Sequence, residues 1–295
     1  MKKEIRSLLW LLSCLLILTA CQGEPEPTEI TTQPATEEQQ ATVTRPAPSA
    51  TPIPLAAQVN NSSITMSEFE AELERYRNAT GTEPTDEDVE KVIQEMVDQL
   101  LLAQAASEAG FQVDQAILEA RIEQLGLSTE DLQTWLDTYG YTQESFEASL
   151  SRAIAAAWMR DEIIAKTSET AEQVHARQIL VYNLEEAETA LNQLDTGAEF
   201  ETLAEQYDPV TRGDLGWFPR GYLTVPELDE IVFALEPGEH SDVIETALGF
   251  HIVQVIERDD ERPLSPDAYR MMQAETLAQW LQEQRQQSDI TLYVP

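Results

Sequence analysis

Gly213-Asp214-Leu215-Gly216-Trp217-Phe218, followed by Val225-Pro226-Glu227-Leu228-Asp229-Glu230-Ile231-Val232-Phe233 and then by Gly249-Phe250-His251-Ile252-Val253, is the stretch that decides how this chain folds. The Gly-Asp-Leu-Gly segment reads as a turn, because glycine adopts positive φ at no steric cost. The apolar run from Val225 to Leu235 reads as a helix, and Pro237-Gly238 separates it from a final strand that contains His251. Working outward, a strand from Val174 to Val181 is followed by a helix closed by Gly197 and a short helix ending at Tyr207. Asn183 caps the first of these helices, with Glu186 at the reciprocal position. Strand, helices, strand, helix, strand, strand makes a small sheet with helices against it, an α+β domain.

In this order and spacing, His175 to about Glu257 resembles the parvulins, a family of prolyl cis/trans isomerases, over roughly a third of the chain. The resemblance implies a βαααβαββ domain and no cofactor. It also implies an apolar cup for a proline ring on Leu215, Leu223 and Leu228 with Phe218 beside them, and a polar cluster of Thr246, His251, Gln178 and an acidic group before the Gly-Asp-Leu turn. Leu223 and Leu228 stand where the family commonly has methionine and phenylalanine, and Gln178 where many members have histidine. His175 does not replace that histidine, because an odd offset of three on a strand points to the opposite face. Asp208 is the one carboxylate of the loop Tyr207 to Gly213. It is the candidate for the acidic position and equally a turn former before Pro209, where aspartate is common. His251 shares strand parity with Val253 and Val255, which fits a satisfied core histidine; Gly249-Phe250 and Thr246 favour a site. There it would orient the cluster, donating from one ring nitrogen and accepting at the other.

Lys2, Lys3 and Arg6 precede an apolar run, Leu8 to Leu18, that is short for a bilayer span and reads as a secretion signal. It ends in Leu18-Thr19-Ala20-Cys21, the pattern of a bacterial lipoprotein, which implies cleavage after residue 20 and a lipid on Cys21. Cys14, the other cysteine, lies in the segment removed, so no internal disulfide follows. Residues 21–55 are rich in Pro, Thr and Glu with almost no large apolar side chain, and read as a disordered tether.

Residues 56–168 read as a helical, chaperone-like domain. A short strand Ala56 to Ile64 leads into a helix opened by a Ser67–Glu70 capping box, with Phe69, Leu73 and Tyr76 on one face. A longer stripe of Val89, Val92, Ile93, Met96, Val97, Leu100 and Leu101 follows and Gly110 ends it; further helices begin at Asp114 and Thr142. The layout resembles the helical domain that precedes the isomerase module in extracytoplasmic foldases of the PrsA and SurA type. That likeness implies an all-helical N-terminal domain completed by the C-terminal helix, with the module, residues 173–258, inserted. Residues 265–295 supply that helix and an alternating segment, Ile290 to Val294, that could pair with the strand near Val59.

The 54 acidic against 18 basic residues, a formal net charge of −36, argue against nucleic acid, which needs a basic face. His175, His240 and His251 lack metal-ligand spacing, so no metal is expected. The expected function is a lipid-anchored extracytoplasmic isomerase acting on unfolded or partly folded secreted polypeptides. The alternatives are a non-catalytic holdase using the same two domains and, from another class, a solute-binding lipoprotein, which the absence of two doubly wound lobes disfavours. The sequence leaves a homodimer open.

Overall fold

The computed structural model describes residues 53–294. The secretion signal, Cys21 and most of the tether therefore lie outside the described residues. Among the described residues no helix is long and apolar enough to cross a membrane.

The chain divides into two compact units. One comprises residues up to Asp98, Ile122–Glu147 and those from Asp289; the other comprises Gln99–Arg121 and Ala148–Ser288. In the first, β1 (Leu55–Val59) and β2 (Ser62–Thr65) form a hairpin through Asn60, whose φ of 53° is one that asparagine tolerates. β7 (Ile290–Leu292) adds to the other edge of β1, Val59 opposite Ile290. The Asn60 side chain accepts the Asp289 N–H at 2.9 Å, and Asn60 N–H donates to the Asp289 carbonyl at 2.8 Å. Helix α1 (Met66–Thr80) opens on a capping box of Thr65 and Glu68, two residues earlier than the expected Ser67–Glu70 pair. Both pairs fit the motif, but Thr65 ends β2 in extended conformation, so the chain can turn there, whereas Ser67 is already helical.

Helix α2 (Asp86–Glu108) carries the long apolar stripe, and α3 (Gln115–Gln124), α4 (Thr129–Thr138) and α5 (Gln143–Ile164) follow. In the second unit, Leu102, Ala156 and Ile163 form a core against which Leu277, Trp280 and Leu281 of α9 (Pro266–Gln287) pack. Phe111 stacks on Trp158 at 4.6 Å.

The rest of that unit is the α+β module. Its sheet is antiparallel with order β4-β3-β6-β5, built from β3 (Thr170–Val181), β4 (Asp214–Pro219), β5 (Ile244–Thr246) and β6 (Gly249–Pro263). Alternation sorts β3 and β6 cleanly. Ile179, Val181 and Ile252 pack under α6 (Leu184–Asp195) and α7 (Phe200–Tyr207), while Val174, Ala176, Val253 and Val255 face α8 (Pro226–Ala234) on the other side. Two helices rather than three precede β4. Residues 208–213, between α7 and β4, make a turn closed by the Arg212 N–H on the Asp208 carbonyl.

Candidate active site

The two-residue period of the strands assembles the site. Gln178 shares the parity of Val174 and Ala176, His251 that of Val253 and Val255, and Thr246 that of Ile244, so all three face the α8 side. Val253 is the cross-strand partner of Gln178, and Ile244 that of His251. His251 is therefore the diagonal neighbour of Gln178, and Thr246 of His251, within reach of long polar side chains. The result is a chain of two bonds: Thr246 Oγ1 to His251 Nε2 at 2.9 Å, and His251 Nδ1 to Gln178 Oε1 at 2.9 Å.

Chemistry fixes the Gln178 bond, and the neutral ring that burial favours fixes the other. An amide oxygen only accepts, so Nδ1 carries the ring proton and donates to Gln178; Nε2 then accepts from the Thr246 hydroxyl. That is the neutral imidazole. Its environment agrees, because His251 is 1% exposed and burial pushes its pKa below the ordinary value, against a smaller opposing pull from the Glu227 carboxylate.

Two glycines hold the strands and turns close enough. At Gly213, with φ of 71°, a Cβ would lie 1.9 Å from the Gln178 carbonyl oxygen, and the Gly213 carbonyl accepts the Gln178 N–H at 2.8 Å. At Gly249, with φ of 135°, a Cβ would lie 2.5 Å from the Val181 carbonyl. Only glycine permits either approach.

The four apolar candidates separate. Phe218 and Leu228 are fully part of the cluster of Val174, Val232, Phe233 and Val253 that α8 makes with the sheet. Leu215 and Leu223 are half-buried and pack at its edge.

Asp208 is not brought into the polar chain. Its carboxylate accepts from the Thr211 hydroxyl and from the N–H groups of Val210 and Thr211, the last two at 3.1 Å. Those bonds, the Thr211 hydroxyl first, hold its pKa below the usual carboxylate value. Of the two readings the sequence left open, the geometry is that of the turn former. His175 points to the opposite face, as its offset requires, and bonds Asp214 at 2.8 Å. Sequence reading takes Gly213 as a turn glycine and Gly249 as a neighbour that favours a site at His251, without the close approach that either makes to β3. Their sequence signals are those of local structure, and only long-range approach distinguishes them. Among the described residues no group of three or more His, Cys, Asp or Glu could hold a metal.

Comparison with known proteins defines the class. Residues 162–257 match the rotamase family, described as the PPIC-type PPIase domain, and residues 39–160 match the SurA-like N-terminal domain. The chain thus carries a parvulin-type PPIase domain together with a SurA-like N-terminal domain, as its resemblance implied. Among individual relatives, it is similar to the foldase protein PrsA of Halalkalibacterium halodurans, 30% identical over 197 residues that cover 58% of each chain. It is also similar to the chaperone SurA of Nitrosospira multiformis, 40% identical over 135 residues, 39% of this chain and 30% of that one. A crystal structure of the peptidylprolyl isomerase PrsA from Bacillus cereus aligns over 77% of this chain and 86% of that one, at 20% identity and a TM-score of 0.45. The alignments therefore span little more than half of the first curated relative and under a third of the second.

Proposed function

We propose that the module is a peptidyl-prolyl cis/trans isomerase acting on unfolded or partly folded secreted polypeptides, tethered outside the cell membrane by a lipid on Cys21. The observation that carries the isomerase reading is the Thr246–His251–Gln178 chain, lying on the same sheet face as an apolar cluster edged by Leu215 and Leu223.

Rotation about a peptide bond faces a barrier of about 18 to 20 kcal/mol because the planar amide is resonance-stabilised, and an X-Pro bond waits tens of seconds on it unaided. No covalent chemistry is needed. A catalyst has to seat the proline ring, strip away water that favours the polar planar form, and bind the twisted amide better than either planar isomer. Leu215 and Leu223 supply the apolar seat over Phe218 and Leu228. The polar chain supplies a fixed dipole at its edge: a neutral imidazole locked in one tautomer, with the Thr246 hydroxyl oriented by Nε2. Gln178 maintains that tautomer without a second titrating group.

A protease-coupled assay on a proline tetrapeptide tests this reading. Acceleration that disappears in His251→Ala supports catalysis. Suppression of client aggregation with no acceleration supports a holdase, a reading favoured by glutamine in place of the usual histidine at 178. The anchor is tested separately by mass spectrometry of the mature N-terminus, where an unmodified Cys21 would end it.

A further inference from the structure

Beside the polar chain stands a carboxylate that it does not use. Glu227 is exposed in the first turn of α8, between Pro226 and the core residue Leu228. Its neighbour Asp229 is occupied, accepting the Gly221 N–H at 3.0 and 3.1 Å. Glu227 has no hydrogen-bond or ion-pair partner among the described residues. An acid in a first turn is favoured by the helix dipole, which explains its presence but not its aim.

The aim follows from helix geometry. Residues four apart share a stripe, and side chains lean toward the helix N-terminus. Ile231, one turn after Glu227, packs at the edge of the apolar cluster, and α8 lies across β3, β5 and β6. Glu227 follows Leu223 and Val225 and precedes Leu228, all of which pack in that cluster, so its exposed carboxylate stands at the cluster's edge. Its charge is felt at the His251 imidazole, where it opposes the effect of burial.

No cation answers it. Residues 170–263 contain no lysine, and Arg177, Arg212, Arg220, Arg258 and Arg262 each already pair with a carboxylate. A free negative charge at the lip of an otherwise apolar seat, in a module whose cations are all paired, discriminates among ligands by charge.

We propose that Glu227 sets the sequence preference of the site, favouring X-Pro bonds that have a lysine or arginine directly beside the proline. The inference rests on the isomerase reading above and names its substrate class. With the proline ring against Leu215 and Leu223, the adjacent residue of an extended client leaves the seat at its rim. A long basic side chain there reaches a carboxylate that a neutral residue ignores and an acidic one avoids.

The experiment compares end-capped peptides with Lys, Ala or Glu on either side of the proline, using the full chain and its Glu227→Gln and Glu227→Lys variants. Wild type should show kcat/KM about three- to tenfold higher for Lys than for Ala, with Glu lowest, and 1 M salt, where the screening length is about 3 Å, should flatten the series. Glu227→Gln should abolish the preference while retaining turnover of the Ala peptide, and Glu227→Lys should invert it. A Lys/Ala ratio that is unchanged in Glu227→Gln overturns the inference while leaving the isomerase intact. If no peptide is accelerated by wild type, the isomerase reading fails instead, and binding of the same peptides, followed by NMR, decides this one: affinity equal for Lys and Glu peptides overturns it.

Discussion

The sheet of the module holds two hydrogen-bonded histidines on opposite faces, and they differ in what surrounds them. His175 is half-buried, bonds the Asp214 carboxylate at 2.8 Å and stacks on Trp217 at 5.6 Å. His251 is buried, bonds only neutral groups and borders an apolar cluster. Judged by side-chain types alone, the His–Asp pair is the more catalytic in appearance. It lacks what amide rotation requires, a dry apolar seat beside a polar edge, and its carboxylate also accepts the Gly216 N–H at 2.8 Å, so it organises a turn. Burial works to raise the Asp214 pKa, but that N–H and His175 outweigh it and hold the carboxyl below its ordinary value. The environment, more than the residue pair, separates a site from a brace.

The change with the largest expected effect is one that couples the two ends. Gly213 touches the Gln178 backbone and immediately precedes Asp214. Gly213→Ala puts a methyl group 1.9 Å from a backbone oxygen at a φ that disfavours side chains, so we expect it to destabilise the module by about 3 kcal/mol or more. Chemical denaturation measures the loss. A variant within 1 kcal/mol of wild type, on the order of an ordinary surface change, would show that the turn yields freely and that the two ends are independent.

Next is His251→Ala, which removes the centre of the polar chain. Thr246 and Gln178 lose their shared partner at about 1–3 kcal/mol in stability, and kcat/KM on a proline peptide should fall about thirtyfold, roughly 2 kcal/mol of transition-state binding. Retention of full activity would dissolve the distinction drawn between the two histidines.

How much of this was readable beforehand depends on range along the chain. The alternation that places His251 with Val253 and Val255, and the Asn183–Glu186 cap, whose Glu186 N–H donates to Asn183 Oδ1 at 2.7 Å, are local patterns, and the structure contains them as read. The Thr65 cap was misplaced by two residues because two overlapping motifs fit, and the end of β2 chose between them. Asp208 was undecided because an acid before proline suits either a turn or a site, and only the position of its hydrogen-bond donors separates them. Arg258 gave no signal at all, yet it reaches from β6 to the Phe233 and Leu235 carbonyls at 3.0 and 2.7 Å, and to Glu172 at 2.5 Å. It ties the end of α8 to β3, and no local pattern encodes a bond across 25 residues.

A titration sharpens the comparison further. The pKa of His251 lies below its ordinary value chiefly through burial, so the folded protein binds fewer protons there than the unfolded chain. Stability contributed by this group is complete above about pH 6.5 and declines as pH falls toward the folded-state value, with a slope of at most about 1.4 kcal/mol per pH unit. The difference between wild-type and His251→Gln denaturation curves isolates it. Gln178→Glu should reverse the sign. A carboxylate against Nδ1 favours the imidazolium, raises the His251 pKa, and moves the loss of activity up toward neutral pH. An unmoved NMR titration in that variant would mean that Gln178 does not govern the tautomer.

The smallest effect is expected at the other histidine. The His175–Asp214 bond is part-exposed on both sides, and such pairs contribute about 0–1 kcal/mol after solvent screening and side-chain ordering. His175→Ala also forfeits contact with one face of Trp217, but Arg262 lies 4.0 Å from that ring and keeps it covered. Asp214 retains the Gly216 N–H, so the turn survives and Leu215 stays in place. Stability should therefore fall by about 0.5 kcal/mol, with kcat/KM within twofold of wild type, the ordinary range for a side chain remote from the reacting bond. A tenfold loss of activity in His175→Ala at unchanged stability would show that the outer face communicates with the inner one through the turn at Gly213, making the His–Asp pair part of the site's support.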